Sequence, residues 1–164
     1  MVRERQTERA DVVEVVVEVP RGCRNKYEQD EAGTIWFDRR LGGPVGFPGD
    51  YGFVVGVEGE DGDAMDALVL LDEATFPGVH IECRVVGAFV VKTGERRETK
   101  LICVPQHDHH QDYVVDLGDL PDNFLQELDA FFHTYRMLES GPVEVLEHQS
   151  RSAAVAGLEP ATRQ

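Results

Sequence analysis

Apolar and polar side chains alternate along "DVVEVVVEVP", where Val13, Val15, Val17 and Val19 fall on one face and Glu14, Val16 and Glu18 on the other. A period of two predicts a β-strand, and it leaves Glu18 beside Pro20 at the strand's end. Further strand-like runs follow in "TIWFD", "YGFVVGV", "ALVLL", "HIECRVVGAFVVK" and "KLICVP". They are separated by "DEAG", "GGPVGFPGDYG" and "GEDGD", stretches rich in the residues that form tight turns at little steric cost. Short strands at this spacing predict a small barrel or sandwich.

The period changes near Leu120. In "LPDNFLQELDAFFHTYRMLESGP", Phe124, Leu128, Phe131, Tyr135 and Leu138 recur in steps of four and three, the stripe of an amphipathic helix. Pro121 suits its first turn and Gly141 its end. Core packing is the plainer role for these aromatics, except at Tyr135 and Arg136, where a polar tip and a cation lie near the helix's C-terminal end. The expected organisation is a polar arm over residues 1–11, one domain over 12–146, and a small polar tail over 147–164 with room for a short helix.

A chain of 164 residues, 41% of them hydrophobic, can bury a substantial core. Acidic residues outnumber basic ones 31 to 16, a formal charge of -15. That charge disfavours nucleic acid or an anionic membrane as partner and suits a protein that attracts cations. Cys23, Cys83 and Cys103 form no C-x-x-C pair, and the last two sit in apolar strands as small hydrophobes, which points to a reducing compartment. With no apolar signal core and no run of ~20 apolar residues, a cytoplasmic location is expected.

Candidate chemistry concentrates in "EGEDGDAMDALVL", where Asp61, Asp63 and Asp66 crowd in front of an apolar run. Like charge packed this tightly needs water, a cation or protonation. A calcium loop of the EF-hand type requires Gly at its sixth position and Glu at its twelfth; counting from Asp61, those positions hold Asp66 and Asp72. The segment alone leaves a solvated acidic turn and a metal site level. Clustered Asp oxygens suit Mg²⁺ or Mn²⁺, and two such ions ~3.5–4 Å apart can activate a shared water for attack on phosphorus. Such chemistry also needs a carboxylate to take a proton and cations to neutralise phosphate. Lys26 and Glu28 in "NKYEQD", Asp38 and Arg39 in "FDRR", Tyr51 in "GDYGF", Lys100 in "ETKLICVP", and Tyr135 with Arg136 are placed in order along the chain to supply them.

Taken together, "VEVPRG", "NKYEQDEAG", "FDRRL", "FPGDYGFV", "EDGDAMDALVL", "PGVHIECRVVG", "ETKLICVP" and the helix segment resemble the family I soluble inorganic pyrophosphatases from about Val12 to Val145. The resemblance implies a mainly β, five-stranded OB-like barrel with flanking helices. It also implies divalent-metal-dependent hydrolysis of diphosphate to two phosphates, with Mg²⁺ as the expected ion and Mn²⁺ as a substitute, and a homo-oligomer, typically a hexamer in bacteria. By the same resemblance Asp61 and Asp66 look like metal ligands and Asp63 like the general base. Glu18 and Glu28 match acidic positions that reach metals, Lys26, Arg39, Tyr51 and Tyr135 match phosphate-holding positions, and Lys100, with Asp38, matches a supporting residue.

The departures from that pattern are specific. Phe47 stands where the family usually has Tyr, and Arg136 where it has Lys. Counting back from Lys100, Glu98 falls at one metal-ligand Asp and Thr93 at another, followed by Gly94. Ala130 and Thr134 occupy positions where some relatives place interface histidines, and the "HDHH" run from His107 to His110 matches no ligand position. A less polar pocket beside Phe47, Thr93 and Gly94 would favour an organic diphosphate. A binding protein without turnover is the reading from another class.

Overall fold

The alternation in β1 (Val12–Val19) is realised in a strand paired on both sides, antiparallel to β4 (Asp50–Glu58) and to β6 (His80–Thr93). In this computed structural model, which describes residues 9–158, Val15, Val17 and Val19 are buried as the period predicts. Val16 is buried as well, because its face lies beneath the hairpin of β2 (Asn25–Gln29) and β3 (Ile35–Arg40).

β5 (Ala64–Val69) continues the sheet from β4, and β7 (Arg96–Pro105) joins β5 to β6. With β1–β6 pairing added, the order β1-β4-β5-β7-β6 closes into the expected five-stranded ring. Closure removes the exposed edges that an open sheet would leave unpaired. The β5–β7 pair is parallel and the others are antiparallel.

Successive side chains on the strands face opposite sides of the ring. Inside it lie Val15, Val54, Ala67, Val69, Val85, Leu101 and Cys103, compact residues that fit a narrow barrel. Outside it, Leu68, Phe89, Ile102 and Val104 pack against the helix α1 (Asp122–Thr134) through Leu128, Phe131 and Phe132. Each fully buried side chain of this size contributes about 1.5–3 kcal/mol, which holds the helix on the sheet. Phe132 widens the apolar stripe. Leu138, its expected last member, is 78% exposed, because the helix breaks at Arg136 before α2 (Met137–Ser140).

The chain beyond Gly141 belongs to the same sheet. β8 (Glu144–Ser150) pairs antiparallel with β6 and crosses the boundary expected between residues 146 and 147. The helix α3 (Arg151–Ala156) follows, and Ala154 and Leu158 are buried in the barrel's core. Of the N-terminal arm, Asp11 is buried and ion-paired with Arg9 and Arg151; residues 1–8 and 159–164 lie outside the described residues.

Candidate active site

Glu18 sits where the β1–β4 register slips between Val17 and Val19. A bulge of this kind re-aims one side chain, and here it turns Glu18 into a cavity of about 350 Å³ beside Lys26, 3.5 Å away. Burial pushes the Glu18 carboxyl above its ordinary value, Lys26 pulls it back, and Asp66 pushes it up again. The β2–β3 hairpin delivers Lys26 and Arg39 to the same cavity wall, with Asp38 behind them. Arg39 is held by Asp38 and by Glu139 of α2, whose carboxylate it meets at 2.8 and 3.2 Å.

The opposite wall comes from the helix-covered face of the ring. Asp66 Oδ2 accepts from Tyr51 Oη at 2.7 Å and from Lys100 Nζ at 2.7 Å. Lys100 also lies 2.8 Å from Glu98 and 5.9 Å from the centre of the Tyr51 ring. Burial opposes the Lys100 charge, but Tyr135, Asp66 and Glu98 outweigh it and leave the pKa raised. Tyr51 is pushed well up, first by burial and then by Tyr135 and Asp66, so its hydroxyl stays a donor. Phe47, Tyr51, Phe131 and Tyr135 stack edge-to-face behind these polar groups, with Phe47–Phe131 centroids 4.8 Å apart. Arg136 lies against the Tyr135 ring and 4.0 Å from Glu98.

Asp61 and Asp63 stand on the turn between β4 and β5. Gly62 adopts φ +83°, and the Asp63 amide donates to Asp61 Oδ1 at 3.1 Å, a local turn that fixes both carboxylates at the cavity mouth. Hydrogen bonds from Arg96 and from the Asp63 amide hold Asp61 below the usual carboxylate range.

The fold has close counterparts. An inorganic pyrophosphatase family model matches residues 15–164. The chain is 43% identical to an inorganic pyrophosphatase of Streptomyces coelicolor over 89% of its own length and 91% of that protein. It belongs to the inorganic pyrophosphatase family. A crystal structure of inorganic pyrophosphatase from Thermus thermophilus superposes with a TM-score of 0.87 at 40% identity, covering 94% of this chain and 91% of that one. One from Helicobacter pylori gives the same TM-score at 36% identity, covering 94% of both chains.

Measured against the expected pyrophosphatase site, the cavity brings together Glu18, Lys26, Arg39, Tyr51, Asp61, Asp63, Asp66, Glu98, Tyr135 and Arg136, with Phe47 in its apolar lining. Lys100 and Asp38 bond to residues of this set from behind. Glu28 is not brought in; it pairs with Lys26 at 3.4 Å on an exposed rim. Thr93 and Gly94 do not line the cavity either. Gly94 (φ +60°) and Glu95 form the two-residue turn between β6 and β7. Of the three residues expected to make that wall less polar only Phe47 is at the cavity, so Thr93 and Gly94 give no ground for favouring an organic diphosphate.

The site also contains a residue that sequence reasoning passed over. Arg96 lines the cavity, hydrogen-bonds Asp61, and lies 3.3 Å from Glu98 and 4.0 Å from Asp63. The signal was in the alternation of "RRETK", which puts Arg96, Glu98 and Lys100 on one face of β7. Glu139, the partner of Arg39, had no such signal.

The donors are all oxygens, which suits a hard divalent cation. Glu98 Oε2 is buried 2.8 Å from the Lys100 ammonium without an aligned hydrogen bond, and Oε1 lies 3.3 Å from Arg96. Among the described residues no three ligating side chains stand close enough to hold an ion as placed. Arg96 and Lys100 lie between them. Asp61, Asp66 and Glu98 are the carboxylates that fit a cation in kind.

Proposed function

We infer that this chain hydrolyses inorganic diphosphate to two phosphates, as a divalent-metal-dependent pyrophosphatase that uses Mg²⁺, with Mn²⁺ as a substitute. The observation that carries this reading is the meeting of carboxylates and cations in one cavity on the family's barrel. Asp61, Asp66 and Glu98 would hold the cations, with Glu18 contributing through water. Bound there, divalent cations supply a water of lowered pKa and neutralise charge on the phosphoryl oxygens.

The remaining steps belong to the chain. Asp63, 85% exposed at the mouth, takes the attacking water's proton and passes it to solvent. The water oxygen bonds to one phosphorus, and the bridging P–O bond breaks with its electron pair leaving on the departing phosphate. Lys26, Arg39 and Arg136 hold phosphate oxygens and the hydroxyl of Tyr135 directs them, while Tyr51, whose hydroxyl donates to Asp66, orients that carboxylate. Lys100 keeps Asp66 and Glu98 in place, and Asp38 does the same for Lys26 and Arg39.

A cytoplasmic location is supported by three cysteines that are all free, two of them buried thiols. Among the described residues no helix is long and apolar enough to cross a membrane. A homo-oligomer, a hexamer by resemblance, is supported by the exposed apolar side chains of Trp36, Phe37 and Phe76.

Colourimetric phosphate release from inorganic diphosphate, with Mg²⁺, Mn²⁺ or chelator, tests the reaction. Release is expected with either cation and not with chelator. Asp61→Asn is expected to lower kcat roughly 100-fold or more with the fold intact. Release that persists in chelator would refute the metal-dependent reading, and an undiminished Asp61→Asn rate would remove that residue from the site.

A further inference from the structure

Arg96 is the first residue of β7, and the Gly94–Glu95 turn swings its side chain onto the cavity face. One guanidinium there spans carboxylates from two parts of the fold. Its Nη2 donates to Asp61 Oδ2 and stands 4.0 Å from Asp63, while Nε is 3.3 Å from Glu98 Oε1.

Besides Arg136, 4.0 Å from Glu98, two cations stand among these carboxylates and differ in kind. Lys100 has 3% of its side chain exposed and is built into the wall, whereas Arg96 has 55% exposed and is tethered only by its backbone and these contacts. A guanidinium has donors but no lone pair, so it cannot join a coordination sphere. It can only compete for the oxygens that a cation would use.

We propose that Arg96 is a tethered counter-ion that competes with divalent cations for the Asp61–Asp63–Glu98 edge and so sets the cation concentration at which that edge fills. Without a divalent cation its charge offsets the repulsion among the three carboxylates. As the cation binds, the side chain leaves Asp61 for solvent, which its exposure permits at small cost. The inference rests on the reading of this cavity as a divalent-cation site.

Arg97 provides an internal control. It carries the same charge one residue away but faces the other side of β7, 3.7 Å from Glu147. Calorimetric titration of Mg²⁺ into wild type, Arg96→Gln and Arg97→Gln, at one ionic strength, separates local competition from net charge. Arg96→Gln is expected to bind Mg²⁺ roughly 3- to 10-fold more tightly, the range of a partly screened hydrogen-bonded ion pair. Arg97→Gln is expected to stay within about twofold of wild type, as the loss of a distant screened charge would leave it.

Arg96→Gln binding unchanged or weaker, with a native circular dichroism spectrum, would overturn the proposal, as would equal tightening in Arg97→Gln. If neither wild type nor Arg96→Gln binds Mg²⁺ at all, the cation-site reading itself fails, which is a distinct result.

Discussion

Lys100 is the residue on which the site's geometry depends most. Its ammonium meets Asp66 at 2.7 Å and Glu98 at 2.8 Å from a position with 3% side-chain exposure. Removing one partner of such a group leaves carboxylates that the surroundings no longer balance, a cost of roughly 3–5 kcal/mol when burial is complete. Asp66 is a third exposed, so a loss of roughly 2–3 kcal/mol is expected for Lys100→Met, or about 5–10 °C in Tm for a chain of this size. The raised Lys100 pKa fixes the sign: its contribution is complete below the unfolded value near ~10.4 and is lost as pH rises through the higher folded value. Thermal melting at pH 7 in chelator checks it; a melting point equal to wild type would show that the pair contributes nothing. Lys100, Asp61, Asp63 and Asp66 were legible in the sequence because each belongs to a short motif with a fixed order along the chain. Arg96 belongs to no such motif, and although the alternation of β7 carries its signal, counting from Lys100 to Glu98 and Thr93 steps over it.

At the scale of elements, the β2–β3 hairpin brings Lys26, Asp38 and Arg39 to the substrate side, and one turn residue organises it. Asp30 Oδ1 accepts from the amides of Ala32 and Thr34, and its Oδ2 accepts from the Trp36 indole at 2.8 Å. The Trp36 bond, then the Thr34 amide, holds the Asp30 carboxyl below its ordinary value. The stabilisation is therefore present above about pH 3.9 and is lost as pH falls through the depressed folded value. Asp30→Ala is expected to loosen the hairpin at neutral pH and raise KM for diphosphate roughly 3- to 10-fold, with kcat nearly unchanged. Trp36 is the chain's single tryptophan, so its fluorescence reports the hairpin directly. An unchanged emission spectrum together with an unchanged KM would show that the hairpin is held by other contacts. β1, β3 to β7 and α1 could be read from hydrophobic period, whereas β2, polar along most of its length, and β8 could not. The side chains of β8 are mostly exposed, and it joins the sheet through main-chain pairing with β6, which no side-chain pattern announces.

For the whole molecule, the closed ring and the charge of -15 act together. Ring closure through β1–β6 and the parallel β5–β7 pair join residues far apart in sequence, so hydrophobic period alone left barrel and sandwich open; the order of motifs decided between them. The ring holds Glu18, Asp61, Asp66 and Glu98 around one cavity, where Lys26, Arg96 and Lys100 offset their mutual repulsion. A ligand that binds only the folded state stabilises it in proportion to its saturation, by about 2.7 kcal/mol at 100 times its Kd. Saturating Mg²⁺ is therefore expected to raise Tm by about 5–10 °C, and chelator to reverse the gain. Monovalent salt should erode the gain at a fixed subsaturating Mg²⁺ concentration, because screening weakens attraction to the acidic cavity. Differential scanning calorimetry on wild type and on Asp61→Asn/Asp66→Asn, each with Mg²⁺ or chelator, separates the site from the surface. The double variant should lose most of the Mg²⁺-dependent gain. If it keeps the full gain, the stabilising cation sits on the general acidic surface and the cavity carboxylates do not hold it.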